Sequence, residues 1–66
     1  MKAYVIMCND YPQGIAATAE AADRIIATER ESRIVKVTRE TGYGRQQAET
    51  CIAVGYWRAY EFEVQT

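Results

Sequence analysis

Residues Ala3 to Cys8 read Ala-Tyr-Val-Ile-Met-Cys, six apolar positions in succession. Side chains alternate across a β-strand, so a strand made from this run carries apolar groups on both faces. It must lie inside a sheet, covered on both sides or set against a subunit contact. A chain of 66 residues has little to cover it with. A domain of that size buries only about 60% of the surface its unfolded chain exposes, so its net stability is slim and pairing with a second copy is a natural remedy.

The rest of the chain is punctuated more clearly. Asn9, Asp10, Pro12 and Gly14 are strong turn formers, and Pro12 biases Tyr11 toward extended geometry, so residues 9–14 read as a loop. Ile15-Ala16-Ala17 fits either a short second strand or the start of a helix. Thr18 is a candidate N-cap, with Glu20 and Asp23 near the positive end of the helix dipole and Ala22, Ile25 and Ile26 forming an apolar stripe. After Glu29-Arg30-Glu31-Ser32 the period changes to two: Val35 and Val37 alternate with Lys36, Thr38 and Glu40, as in a half-buried strand. Thr41-Gly42-Tyr43-Gly44 ends that pattern in a turn. Arg45 to Val54 reads equally as a short helix or the start of a strand. From Tyr56 the alternation returns, with Tyr56, Tyr60, Phe62 and Val64 on one face, where Arg58 is the one polar intrusion and Tyr56 and Tyr60 read as core beneath the helix. Trp57 falls on the other face with Ala59, Glu61 and Glu63.

These elements predict an α+β fold as a single domain over residues 1–66. It has a three- to four-stranded, mainly antiparallel sheet with one helix, about residues 18–31, packed on one face, in β-α-β-β or ββ-α-ββ order. The opposite face has no cover in so short a chain.

Composition narrows the chemistry. Eight Lys and Arg against nine Asp and Glu leave a net charge of -1, so the whole-molecule field gathers neither nucleic acid nor an anionic membrane. There is no histidine, which removes Ser-His and Cys-His nucleophile pairs and the commonest metal ligand. The one serine, Ser32, has no base in prospect, and Glu29/Glu31 and Glu61/Glu63 read as solvated faces. No enzyme, metal or cofactor is expected. Gly42-Tyr43-Gly44-Arg45 lacks the spacing of a phosphate loop. The opening apolar run is too short for a secretory signal, and no run approaches the roughly 18 to 20 residues of a membrane span. The expected location is the cytosol, where Cys8 and Cys51 stay free thiols.

What remains is aromatic and cationic. Tyr56-Trp57-Arg58-Ala59-Tyr60 groups the residue types that dominate interface hot spots, and Gly42-Tyr43-Gly44-Arg45 reads as a mobile loop tip. The candidate partner-binding residues are therefore Tyr43, Arg45, Trp57 and Arg58, with Trp57 as anchor on the uncovered face. The same residues could instead stack bases and meet phosphates in a nucleic-acid or nucleotide binder, although the acidic Glu61 and Glu63 beside Trp57 oppose that. A third reading is a structural homodimer joined through the Ala3–Cys8 strand or the bare face.

Three features together, the Met1-Lys2-Ala3-Tyr4 strand, the Ala21-Ala22-Asp23-Arg24-Ile25-Ile26-Ala27 helix leading into Ile34-Val35-Lys36-Val37-Thr38, and the aromatic C-terminal strand, resemble small orphan proteins of bacteriophages and prophages. These include anti-CRISPR inhibitors built from a sheet with one helix. The resemblance implies a stoichiometric inhibitor that occupies a surface of a host defence complex in the bacterial cytosol.

Overall fold

The computed structural model describes residues 1–65. Along the chain run β1 (Lys2–Cys8), β2 (Tyr11–Ala16), α1 (Ala19–Thr41), α2 (Arg45–Glu49), a 3-10 turn (Ile52–Val54) and β3 (Trp57–Glu63). The strands form one antiparallel sheet in the order β2-β1-β3. The fold is α+β, and the doubly apolar β1 sits at its centre. Both edges of β1 are paired, so that strand cannot itself join two subunits edge to edge.

The β1–β2 hairpin is tighter than the turn formers suggest. Only Asn9 and Asp10 connect the strands, and residues 11–14, expected as loop, belong to β2. Asn9 takes φ 56°, a left-handed conformation Asn tolerates well. Its Oδ1 accepts from the Tyr56 N–H at 3.0 Å, and its own N–H donates to the Tyr56 carbonyl at 2.7 Å. One asparagine thus closes the hairpin and holds the approach to β3. The register slips between Ile6↔Gly14 and Met7↔Pro12, leaving Gln13 as the extra residue of a bulge. Pro12 is accommodated because β2 is an edge strand.

The main departure from the sequence expectation is the length of α1. It begins as expected, with the Thr18 hydroxyl oxygen accepting from the Ala21 N–H at 3.1 Å. It does not stop near residue 31, and Ile34 to Glu40 is helix rather than strand. No Gly or Pro interrupts the chain between Gly14 and Gly42. Ile34 and Val37, three apart, are buried on one side against Ala48 and Val54. The Thr38 and Thr41 hydroxyls donate to the carbonyls of Val35 and Val37 at 2.8 and 2.6 Å, which accommodates β-branched residues within helical turns. Burial on α2 and the 3-10 turn therefore overrides local strand propensity. Gly42, at φ 76°, ends the helix with its N–H donating to Thr38 O at 2.9 Å. The observed order is β-β-α-α-β, with the 3-10 turn before the last strand.

A 23-residue helix is about 34 Å long and a seven-residue strand about 23 Å, so α1 overhangs the sheet. The molecule is accordingly elongated, 48 × 20 × 14 Å, with two small cores in place of one. Over the sheet, Ala22 packs on Ile6 and Ala16, flanked by Tyr4, Ala21, Ile26 and Trp57. Beyond it, Ile34 and Val37 pack on Ala48 and Val54 with Cys51 alongside. Cys8 and Cys51 are both free.

Gly55 follows Val54 of one core and precedes, by two residues, Trp57 at the flank of the other. It adopts φ 92°, and a Cβ built there would stand 2.5 Å from the Sγ of buried Cys8. We expect Gly55→Ala to cost about 2–4 kcal/mol from backbone strain and overpacking together, lowering the thermal midpoint by roughly 10 °C or more. Gly14→Ala, with nothing within 4 Å of its Cβ position, should change it little. Circular dichroism melts of the two variants make the comparison, and equal midpoints would contradict the close approach described here.

Candidate functional site

The strand register determines which side chains share a face. Tyr4, Ile6 and Cys8 of β1 lie opposite Glu61, Ala59 and Trp57 of β3, and this is the side on which Ala22 and Ile26 of α1 pack. Val5 and Met7 lie opposite Tyr60 and Arg58, Ala3 opposite Phe62, and Val5 also opposite Ile15. Among the described residues no element covers that second side. Ile15 is 69% exposed, Tyr60 48% and Phe62 43%, with Val5 and Met7 half-buried between them.

The phase of β3 is therefore the reverse of the one expected. Trp57 faces the helix and is half-buried. Its indole N–H donates to Val54 O at 3.1 Å, and the Arg33 guanidinium of α1 lies 5.6 Å from its ring centroid. A tryptophan beneath a helix needs an acceptor for that N–H, and the 3-10 turn supplies one. Tyr56 and Tyr60, expected as core, are exposed, and so is Phe62. Glu61 and Glu63 do share the side of Trp57, but both are exposed; they pair with Lys2 Nζ at 3.0 Å and the Met1 amino group at 3.1 Å.

On the uncovered side, Arg58 lies between two tyrosines. Its guanidinium sits 4.7 Å from the Tyr56 ring centroid and 6.0 Å from that of Tyr60, and Nη1–H donates to the Tyr60 hydroxyl at 2.9 Å. The hydrogen bond to Tyr60 raises the Arg58 pKa above its ordinary value, and the adjacent Tyr56 acts in the same direction. The result is a Tyr-Arg-Tyr ladder beside Val5, Met7, Ile15 and Phe62. Flat apolar area with a fixed cation and phenol hydroxyls suits contact with another protein surface.

The four residues expected to bind a partner are not brought together. Arg58 lies on the uncovered face and Trp57 on the opposite one. Tyr43 sits in the turn after α1, at the overhanging end of the helix. Arg45 opens α2 and is held by carboxylates: Nη1–H and Nη2–H donate to the two Glu31 oxygens at 2.7 and 2.5 Å, and Nε lies 3.2 Å from Glu49. This bidentate pair docks α2 on α1 and leaves Arg45 committed within the molecule. Ile15, Tyr60 and Phe62 are exposed residues of the uncovered face that the sequence reading did not assign to a site.

The remaining surface offers little chemistry. A shallow hollow of ≈ 440 Å³ along α1 is lined by Ser32, Arg33, Lys36, Val37, Glu40 and Ala53. Among the described residues no group of three or more His, Cys, Asp or Glu is placed to hold a metal ion, and no helix is long and apolar enough to cross a membrane. No protein-family model, curated protein or solved structure matches the chain.

The Glu31–Arg45 pair makes a separate prediction. Its hydrogen bonds hold the Glu31 carboxyl below the usual glutamate range, so its contribution is present above about pH 4.3 and is lost as the pH falls through the lowered value. Because the pair is exposed, the effect on global stability is small and the readout should be local. Glu31→Gln at neutral pH should speed amide exchange at Ala48 and Glu49 while leaving β1 amides unchanged. Unchanged exchange in α2 would show that the pair does not dock it.

Proposed function

We propose that this protein is a non-enzymatic binding protein whose uncovered sheet face is its contact surface, and that it acts as a stoichiometric inhibitor. The reading is carried by one observation: Ile15, Tyr60 and Phe62 are exposed together on the side of the sheet that α1 does not cover. Contiguous exposed apolar area on so small a molecule marks a contact site, and Tyr and Arg are the side chains that carry most energy in such sites. The resemblance to phage-encoded anti-defence proteins supplies the target class, a surface of a bacterial defence complex met in the host cytosol. Binding by occlusion needs no catalytic group or cofactor.

The nucleic-acid alternative has less support. It drew on Tyr43, Arg45, Trp57 and Arg58 as one platform. Those residues lie at separate places, and Arg45 is engaged by Glu31 and Glu49. Binding through the apolar face predicts weak dependence on salt, whereas phosphate contacts predict a steep one.

The test uses a bacterium whose CRISPR system is active against a lytic phage. Expression of the protein should raise the plating efficiency of that phage, and the defence complex should co-purify with the protein at equimolar ratio. Tyr60→Ala and Phe62→Ala should each weaken the complex by about 2 kcal/mol, roughly 30-fold. Ile52→Ala, at a 93% exposed position on the 3-10 turn, should bind as the parent does. Full immunity across the defence types tried would overturn the target class, and unweakened binding by the Tyr60 and Phe62 variants would overturn the surface.

A further inference from the structure

The two edges of the sheet differ. β2 is interrupted by Pro12, Gly14 and the Gln13 bulge, features that blunt an edge against pairing. β3 is seven residues long, with neither proline nor lysine, and its pairing with β1 is regular throughout. The direction of its free backbone groups follows from the ends of the β1–β3 ladder. Val64 N–H donates to Met1 O at 2.7 Å, and Asn9 N–H donates to Tyr56 O at 2.7 Å. Hydrogen-bonded and non-hydrogen-bonded pairs alternate in an antiparallel ladder, so even-numbered residues of β3 bond to β1. The N–H and C=O groups of Trp57, Ala59, Glu61 and Glu63 point outward, away from the sheet.

We propose that β3 pairs antiparallel with β3 of a second copy about a two-fold axis at Tyr60, joining the two sheets into one of six strands. Side-chain charge and backbone geometry select that register. Sliding by one step toward the C-terminus sets Glu61 opposite Glu61 of the second copy, and a further step sets it opposite Glu63; like charges directly opposed are destabilising. Sliding the other way carries the pairing into Gly55, whose φ of 92° leaves the strand conformation. With Tyr60 on the axis, all seven residues of β3 are paired. Trp57 faces Glu63, Ala59 faces Glu61 and Arg58 faces Phe62. The four outward-pointing residues exchange roughly eight hydrogen bonds across the axis.

A two-fold axis normal to the sheet keeps both helices on one side and both uncovered faces on the other. The dimer therefore leaves Ile15, Tyr60 and Phe62 accessible and doubles the apolar face, to a width of about 29 Å. The thin cores of the single chain, in which Ile6, Ile34 and Val54 are the largest fully buried side chains, gain the support expected of association in so small a domain. The dimer is independent of what that face binds and is read from the purified protein alone.

Sedimentation equilibrium across a hundredfold range of concentration should give a particle of twice the chain mass, dissociating on dilution. Ala59→Pro removes an outward N–H without disturbing the bonds to β1 and should give a folded monomer by circular dichroism. Tyr60→Cys places two thiols at a non-hydrogen-bonded pair on the axis, where Cα atoms are about 4.5 Å apart. Mild oxidation should link two chains through residue 60 alone, as mapped by mass spectrometry, whereas Phe62→Cys should not link to itself. A parent protein that is monomeric throughout overturns the proposal. So does a dimer that persists in Ala59→Pro, which would place the contact on the sheet face, or one that cross-links through Phe62→Cys. If Ala59→Pro does not fold, the pair of cysteine variants decides.

Discussion

A three-stranded sheet has two faces, and this chain has one helix to set against them. The helix covers its face through a close contact: Ala22 packs directly on Ile6 and Ala16, where larger side chains would hold the layers apart. Everything else in the fold is arranged around that contact. Cys8 approaches Gly55 closely, and Trp57 closes the side of the core with its indole N–H on Val54 and Arg33 over its ring. Among the described residues the face turned away from Ala22 has no comparable partner. Its apolar residues are exposed because the chain has no second layer to cover them.

The overhang of α1 has a related origin. Once the helix leaves the sheet it needs apolar support of its own, and residues 45–54 fold back beneath it to provide Ala48 and Val54. The bidentate Arg45–Glu31 pair and the Glu49 contact fix α2 in that position. This second core carries no exposed aromatic surface apart from Tyr43 at its tip. Its role is to anchor the return of the chain into β3 at the level set by Gly55 and Asn9. The uncovered sheet face and the second core are thus separated along α1, the sheet packing under its first half and the brace under its second.

The class of fold was legible in the sequence, along with the interior position of β1, the Thr18 cap and the turn at Gly42, though that turn ends a helix rather than a strand. Three things were not. Ile34-Val35-Lys36-Val37-Thr38 alternates like a strand, yet Ile34 and Val37 also fit a helical stripe, and only the arrival of Ala48 and Val54 decides between them. The continuous absence of Gly and Pro up to Gly42 was the available signal for the longer helix. Residues 11–14 looked like loop because Pro12 and Gly14 punctuate turns as well as bulged edge strands. The phase of β3 was ambiguous because both of its faces carry aromatic residues. Alternation sorts them into two sets but does not say which set the helix covers. The acceptor on Val54 that draws Trp57 inward is a property of the folded chain.

The central claim is that Ile15, Tyr60 and Phe62 stand on an open face while Trp57 lies beneath the helix. Hydroxyl-radical footprinting of the isolated protein, with each rate referred to the same residue in the denatured chain, tests it most directly. Strong protection of Trp57 with little at Tyr60 and Phe62 is the predicted result. Protection of Tyr60 and Phe62 together with an unprotected Trp57 would place the helix on the other side of the sheet and contradict the account.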